Sequence, residues 1–495
     1  MPLSAGGEHT CAILDGGGAK CWGSNSYGQL GYDSTDNKGV GPGEHSMSKL
    51  GTVFLNATAT AITTGTHHTC ALLDGGHVKC WGRAASGQLG YDCHGLGEAV
   101  SCYRNRAKDK GSAEGEHSMA RLGVVRLNAT AISITAGNYH SCAIFEGGYV
   151  KCWGDNRYGQ LGYDSTDNKG NAEGDMARLG FVNLGSAATA ITAGGWHTCA
   201  IIVGGGVKCW GLNRYGQLGY DSTDTKGNAE GEHSMANLGT VFLDATALAI
   251  TAGFEHTCAL LEGGYVKCWG ASRVGIHWGR GGRLGYDSAD NKGASPGEHS
   301  MVNLSTVFLN RSAIGIAAGV GHTCALLDGG YVKCWGFNGI PTGPGWYWEG
   351  GQLGYDRCGA WGVIDDTGDR AGDMANTAIV SLGSPAIAIL TGSYHTCAIL
   401  LGSSVKCWGY GHLGRLGYDC VEAGYDRCSK GTKTGDMASL GTVNLGTPVG
   451  DFYEPRSSPL LPPALPPDPP PHSPRPPSSP PSPLPPPPSP PPSPP

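Results

Sequence analysis

The chain has 495 residues, of which 84 are Gly, 31 Pro and 19 Cys; only 15% are charged and the net charge is −7. No block of Lys and Arg supplies the footprint of a nucleic-acid binder, no run approaches the 18 or so apolar residues of a membrane span, and this much Gly, without a three-residue period, disfavours both a helical body and collagen. Of the 31 prolines, 24 lie in the last 41 residues, 455–495, which hold no Gly and no Cys, so a Gly- and Cys-rich body precedes a proline tail.

The body opens at once on a repeat. Leu3-Ser4-Ala5-Gly6 aligns with Ile191-Thr192-Ala193-Gly194, so the first strand begins almost at Met1. His-Thr-Cys-Ala-Leu-Leu-Asp-Gly-Gly-x-Val-Lys-Cys-Trp-Gly then recurs seven times, its first cysteine at Cys11, Cys70, Cys142, Cys199, Cys258, Cys324 and Cys397. The second cysteine follows ten positions later, at Cys21, Cys80, Cys152, Cys209, Cys268, Cys334 and Cys407, and successive units start 57 to 73 residues apart. Each unit contains four strand-like runs; in unit four they are 190–193, 198–202, 207–210 and 239–243. The second and third are joined by Gly-rich turns such as Asp74-Gly75-Gly76, a hairpin signal. Seven four-stranded units predict an all-β, seven-bladed β-propeller over residues 1–446, ahead of a β-solenoid, whose periods are usually shorter. A proline-rich extended tail follows over 447–495, Pro-rich from 455. The short start leaves little chain to close the ring with an extra strand. The blades therefore close by packing alone, or the N-terminus lies upstream of Met1, and the second is the reading favoured here.

The repeat resembles that of the regulator of chromosome condensation family, seven-bladed propellers. The resemblance is clearest at His140 to Gly162 and His197 to Gly219, where His-Thr/Ser-Cys-Ala is followed by Val-Lys-Cys-Trp-Gly-x-Asn-x-Tyr-Gly-Gln-Leu-Gly. Units five and seven depart from it, with Arg283 and Arg415 in place of Gln, and the loops after Gly-Tyr-Asp are longer than the family's. The resemblance implies the fold, and it implies guanine-nucleotide exchange on a small GTPase as one possible function. A secreted β-lactamase inhibitor with this propeller suggests enzyme inhibition as another.

If each Asp-Gly-Gly turn centres its hairpin, Cys11 faces Cys21 within disulfide reach, and so through the other six units. Buried free thiols are the alternative; zinc is poorer, because no second thiol or imidazole pair recurs nearby. The remaining cysteines lie in the long loops of units two, six and seven. Bridges Cys93–Cys102 and Cys420–Cys428 are expected there, with Cys358 left unpaired. Paired cysteines on this scale point to an oxidising compartment. Sequons at Asn56, Asn128, Asn303 and Asn310 agree, three of them at the same place in the repeat; the N-terminus lacks a signal peptide.

The seven histidines His9, His68, His140, His197, His256, His322 and His395 read as structural, each holding its blade's turn, because a catalytic site needs one constellation rather than seven copies. The seven Trp of Cys-Trp-Gly read as core or inter-blade packing. The loop from Asp33 to Gly39, nearly repeated at Asp164, Asp221 and Asp287, has oxygens for Ca²⁺ but not the spacing of a hand-type loop. It reads equally as turn formers, and no metal or cofactor is assigned. Units five and six carry extra loops with His277, Trp278, Trp346, Tyr347 and Trp348, and Trp361 follows. These aromatics are a candidate partner-binding patch for a protein or glycan, or else simply cover the long loops.

The tail adopts polyproline II. Its Ser-Pro-Pro-Pro runs resemble hydroxyproline-rich matrix glycoproteins of plants and green algae; a ligand for SH3-type or WW-type domains and a plain spacer are the alternatives. With no nucleophile elbow, phosphate loop or isolated acid–base pair, the chain reads as a non-enzymatic interaction scaffold, extracellular or wall-associated. The exchange factor, which would be cytoplasmic, and the inhibitor are the alternatives.

Overall fold

The computed structural model describes residues 2–41, 43, 45–91, 109–114, 118–231, 233–273, 281–297, 299–342, 347–356, 366–420 and 428–450. Residues 1–451 make one compact unit and 452–495 a second. The expected loop bridge Cys93–Cys102, Cys358, and the tail lie outside the described residues.

Seven three-stranded antiparallel sheets follow one another along the chain. In the fourth, Ala188–Ala193, His197–Ile202 and Val207–Gly211 pair in sequence order. The second strands of the others are His9–Ile13, His68–Leu73, His140–Phe145, His256–Leu261, His322–Leu327 and His395–Leu400. The hairpin turn between second and third strands needs left-handed backbone at two successive residues, Gly75 (φ 77°) and Gly76 (φ 75°) in blade two, which only Gly adopts without strain.

The expected fourth run is in place but does not form a full ladder. Each contributes one backbone hydrogen bond to the third strand, from Val53, Val125, Val182, Val241, Val307, Val380 and Val443, at 2.7–2.8 Å. Two residues beyond Val53, Val125, Val380 and Val443, the chain already serves the neighbouring blade. The carbonyls of Leu55, Leu127, Leu382 and Leu445 accept hydrogen bonds from the buried Lys79 and Lys151, the half-buried Lys406 and the buried Lys20 of that blade. Desolvation holds all four ammonium groups below their ordinary pKa.

Cys11 faces Cys21 in register, and the same holds for Cys70–Cys80, Cys142–Cys152, Cys199–Cys209, Cys258–Cys268, Cys324–Cys334 and Cys397–Cys407. All seven pairs are bonded, with Cα atoms 4.0–4.1 Å apart. The disulfides lie in the core between blades: Cys11 and Cys21 pack with Ala59, Ile62, Ala71 and Trp81 of the next blade. The bridge expected between Cys420 and Cys428 is not formed, and Cys428 is a buried thiol. The two cysteines have different anchors, since Cys420 bridges to Val40 of the first repeat while Cys428 backbone lies against Gly411.

The blades are tied by a repeated hydrogen-bond latch. Each histidine Nε2 lies 2.9–3.0 Å from the Thr or Ser hydroxyl of the following blade: His9–Thr69, His68–Ser141, His140–Thr198, His197–Thr257, His256–Thr323, His322–Thr396 and His395–Thr10. Each hydroxyl in turn donates to a backbone carbonyl of the preceding blade, at Gln29, Gln88, Gln160, Gln217, Arg283, Gln352 or Arg415 (2.8–3.0 Å). A hydroxyl has one proton, so the imidazole Nε2 must donate and Nδ1 carries the lone pair. In six blades the buried Trp indole donates to that same carbonyl at 3.0–3.1 Å. The histidines thus hold the neighbouring blade, and not the turn of their own blade that the sequence suggested.

Blade seven meets blade one through this same latch, so the ring closes by packing. It also closes by strand completion. Leu3–Ala5 supplies only three residues where the other first strands have six. Val449 bridges to Leu14, Asp15 N–H donates to Pro448 and Gly450 N–H donates to Ile13. Residues 448–450, assigned to the tail from the sequence, therefore complete the first strand of blade one.

Two predictions follow from this frame. Removing one staple in Cys199→Ser/Cys209→Ser should cost about 3 kcal/mol in urea unfolding. Truncation after Thr447 should lower the melting temperature by at least a few degrees against truncation after Asp451, because only the first removes the closing strand.

A third concerns acid. Burial holds His9, His68, His197 and His322 neutral down to about 3, His140 to about 4, and His256 and His395 well below the ordinary value of 6.5. The unfolded chain binds these protons near pH 6.5 and the folded chain does not, so stability is full above 6.5 and falls as pH drops from 6.5 towards 3. Urea midpoints at pH 7.5, 5.5 and 4 should decline steadily, and a flat profile would contradict buried neutral imidazoles.

Candidate functional site

Glycines at the inner ends of the first strands surround the axis. A Cβ at Gly6, Gly65, Gly137, Gly194, Gly253, Gly319 or Gly392 would overlap the carbonyl oxygen of the next glycine round the ring, the last returning to Gly6. That closeness leaves a cavity of about 110 Å³, lined also by Thr66, Asn138, Phe254, Val320 and Ser393. Small-molecule sites run from about 300 Å³, so the axis cavity is too small for an ordinary ligand, and a partner binding on the axis would lie across its mouth.

The mouth is built from the two residues before each structural histidine, with the loop that follows Cys-Trp-Gly. The strand ends fix these positions; only their side chains differ. In the second to fourth units the preceding residue is His67, Tyr139 and Trp196. The Tyr27 ring lies 5.0 Å from the His67 imidazole. The Arg83 guanidinium lies over the rings of both Tyr27 (4.9 Å) and Tyr139 (5.8 Å). Trp196 then meets Tyr158 at 6.1 Å and Phe254 at 4.7 Å, both edge-on, and Arg214 covers Tyr215 at 5.3 Å. An aromatic arc threaded by arginines therefore runs from the first to the fifth blade. Burial draws the His67 imidazole below its ordinary value, with Glu8 opposing.

The two arginines that break the repeat complete this face from beneath. Elsewhere Gln29, Gln88, Gln160 and Gln217 accept a hydrogen bond from the backbone two residues earlier. Units five and seven have altered loops there. In unit five, buried Arg283 donates to the carbonyls of Ala271, Val320 and Arg273 and pairs with Glu255 at 3.3 Å. In unit seven Arg415 pairs with Glu8 at 3.7 Å. Desolvation lowers the pKa of both guanidinium groups, opposed by these carboxylates.

Of the aromatic patch expected from the sequence, His277, Trp278, Trp346 and Trp361 lie outside the described residues. Tyr347 and Trp348 fall in a strand, Tyr347–Gly350, that pairs with Gly339–Thr342 as a separate two-stranded sheet. The arc of units one to five was missed. Its signal was available at the two positions before each histidine, where the repeats disagree; immediately before it stand Glu8, His67, Tyr139, Trp196, Glu255, Gly321 and Tyr394.

On the outer rim, Asn56, Asn128 and Asn310 are exposed in left-handed turns (φ 65°, 54° and 63°). Asn303 is exposed too, but its Nδ2 donates to Gly297. The loop weighed for Ca²⁺ spends its leading carboxylate otherwise. Asp33, Asp164, Asp221, Asp287, Asp356 and Asp419 each accept the backbone N–H of a methionine in the next blade, at 2.7–3.0 Å. Among the described residues no group of three or more His, Cys, Asp or Glu is placed to hold a metal.

Comparison with known proteins agrees with this geometry. A model of the regulator of chromosome condensation (RCC1) repeat matches residues 3–29, 59–88, 131–160, 188–217, 248–276 and 313–339, and a second matches 21–72. The ultraviolet-B receptor UVR8 of Arabidopsis thaliana is 26% identical, over 68% of this chain and 76% of its own length. The probable E3 ubiquitin-protein ligase HERC4 of Homo sapiens is 30% identical over 64% of this chain, but the match spans only 30% of that protein. Among solved structures, yeast RCC1 (Prp20), crystallised with Kap60, superposes with a TM-score of 0.58 at 17% identity, covering 92% of this chain and 85% of that one. Repeats and propeller together place the chain in the regulator of chromosome condensation repeat family.

Proposed function

We propose that this chain is a non-enzymatic interaction module that binds a protein partner across the mouth of its central channel, and that it works outside the cell or in the cell wall. The observation that carries the binding reading is the arc of Tyr27, Arg83, Tyr139, Tyr158, Trp196 and Phe254, built of the residue types that dominate protein-binding hot spots. The axis cavity beneath it is too small for an ordinary ligand. A solved structural neighbour is consistent with this: yeast Prp20 was crystallised bound to Kap60 and is described elsewhere with its binding to Gsp1p and histones. The location is supported by the seven bonded cysteine pairs and by three sequon asparagines exposed on the rim. Small-GTPase exchange rests on fold likeness alone, and no geometry at the mouth favours it.

The test compares immobilised wild-type chain, the mouth variant Tyr158→Ala/Trp196→Ala and the rim variant Phe54→Ser/Phe181→Ser. Proteins retained by the wild type and the rim variant should be lost at least tenfold from the mouth variant; equal retention by all three would remove the mouth as the binding face. Location is read by thiol titration of unreduced, denatured protein from its natural source. A handful of reactive thiols is expected; fourteen or more would place the chain in a reducing compartment.

A further inference from the structure

We infer that the partner's contacting element is an acidic, extended peptide segment, gripped by Arg83 and Arg214. This rests on the mouth being the binding face and adds the chemistry of what lies there.

The chain as a whole is acidic, at −7, yet the carboxylates of this face are already matched. Glu8 pairs with Arg415, Glu255 with Arg283, and Asp155 with Arg157 at 2.7 Å. Among the described residues neither Arg83 nor Arg214 has a carboxylate partner, although both reach the surface, Arg214 fully. The face therefore offers uncompensated positive charge on an otherwise negative molecule, and an acidic partner is steered to it.

Geometry then selects the ligand group. A guanidinium stacked on an aromatic ring uses its flat face, and its N–H donors remain free in the plane of the group. Those donors match a carboxylate two bonds at a time. The Arg83 guanidinium lies 4.9 Å and 5.8 Å from two tyrosine rings of different blades, contacts that restrain it before a carboxylate arrives and so lower the ordering cost of binding. Arg214, two blades on, lies 5.3 Å from the ring of its chain neighbour Tyr215. Between them lies the third blade with Tyr139 and Tyr158, so a ligand that meets both arginines must cross the width of a blade, which suits an extended chain.

An acidic glycan would present carboxylates too. It would need open ring faces to stack on, and here the rings cover one another: Tyr158 and Trp196 stand at 69°, Trp196 and Phe254 at 65°. Edge-to-face clusters of this kind suit side chains entering between them better than a sugar lying flat.

The test uses the full chain and a fluorescein-labelled peptide, (Glu-Gly-Glu-Tyr)₃, read by fluorescence anisotropy. The matched Lys peptide and a galacturonic acid decamer are competitors. Saturable binding is expected, weakened about tenfold or more in Arg83→Gln/Arg214→Gln and by raising salt from 50 to 500 mM. Arg83→Lys/Arg214→Lys, which keeps charge but not the fork, should fall between wild type and the Gln variant. Because both side chains reach the surface, the variants should melt with the wild type, and Arg126→Gln on the rim serves as a folded control with full binding.

Equal binding by wild type and the Gln variant, or equal binding of the Lys peptide, would overturn the proposal. Displacement by the decamer at lower concentration than by unlabelled peptide would replace it with a glycan ligand. If the peptide fails while the Tyr158→Ala/Trp196→Ala variant still loses its retained proteins, the acidic chemistry is wrong and the mouth reading stands; if both fail, both fall.

Discussion

One carbonyl oxygen per blade holds this molecule together. It belongs to Gln29 or its equivalent, and it accepts the Thr or Ser hydroxyl and, in six blades, the Trp indole of the following blade. The same hydroxyl receives the imidazole of the first blade. Buried polar groups are costly unless satisfied, so His, Thr and Trp fix the blades' spacing and angle together. The latch then dictates what can sit around it. The residue three before each histidine must be Gly, because a side chain there would meet both the imidazole and the neighbouring carbonyl. Seven such glycines leave a narrow axis.

Constancy and variation divide the repeat between two tasks. The latch, the disulfide and the Asp that caps the next blade's methionine recur with few exceptions. The residue beside the latch histidine takes five identities over the seven units, repeating only as Glu8 with Glu255 and as Tyr139 with Tyr394. A scaffold whose blades are clamped by side chains on one side of a position can let that position vary without moving the backbone. Units five and seven show the limit of this freedom, where altered loops lose the Gln turn and a buried arginine stitches the gap to a glutamate.

Much of this was legible in the sequence, and the failures have physical causes. The seven units, the hairpin pairing of Cys11 with Cys21 and the burial of the Trp follow from local spacing, and local spacing survives folding. The role of the histidines did not, because their partners lie 58 to 74 residues along the chain, or 385 at the closing interface, and only the ring brings them together. The fourth run reads as a strand from Gly239 to Leu243 but makes a single ladder bond, since its end is already committed to the next blade. The aromatic arc escaped for a related reason. Tyr27, Arg83 and Tyr139 come from three different units, and no window along the chain contains them together.

The seam in blade one sets an order of events. Each hairpin is local, so a blade can fold and oxidise as soon as its own thirty or so residues are available, and its neighbour can dock on it in turn. Blade one is different: its first strand is written in two places, at residues 3–5 and 448–450. During synthesis it must wait, half-edged, for more than four hundred residues to follow. The circle is thus a chain of quickly made, individually riveted links whose clasp is fastened last, and a cut opened at any other inter-blade turn, with the two present ends joined, would move the clasp without changing the ring.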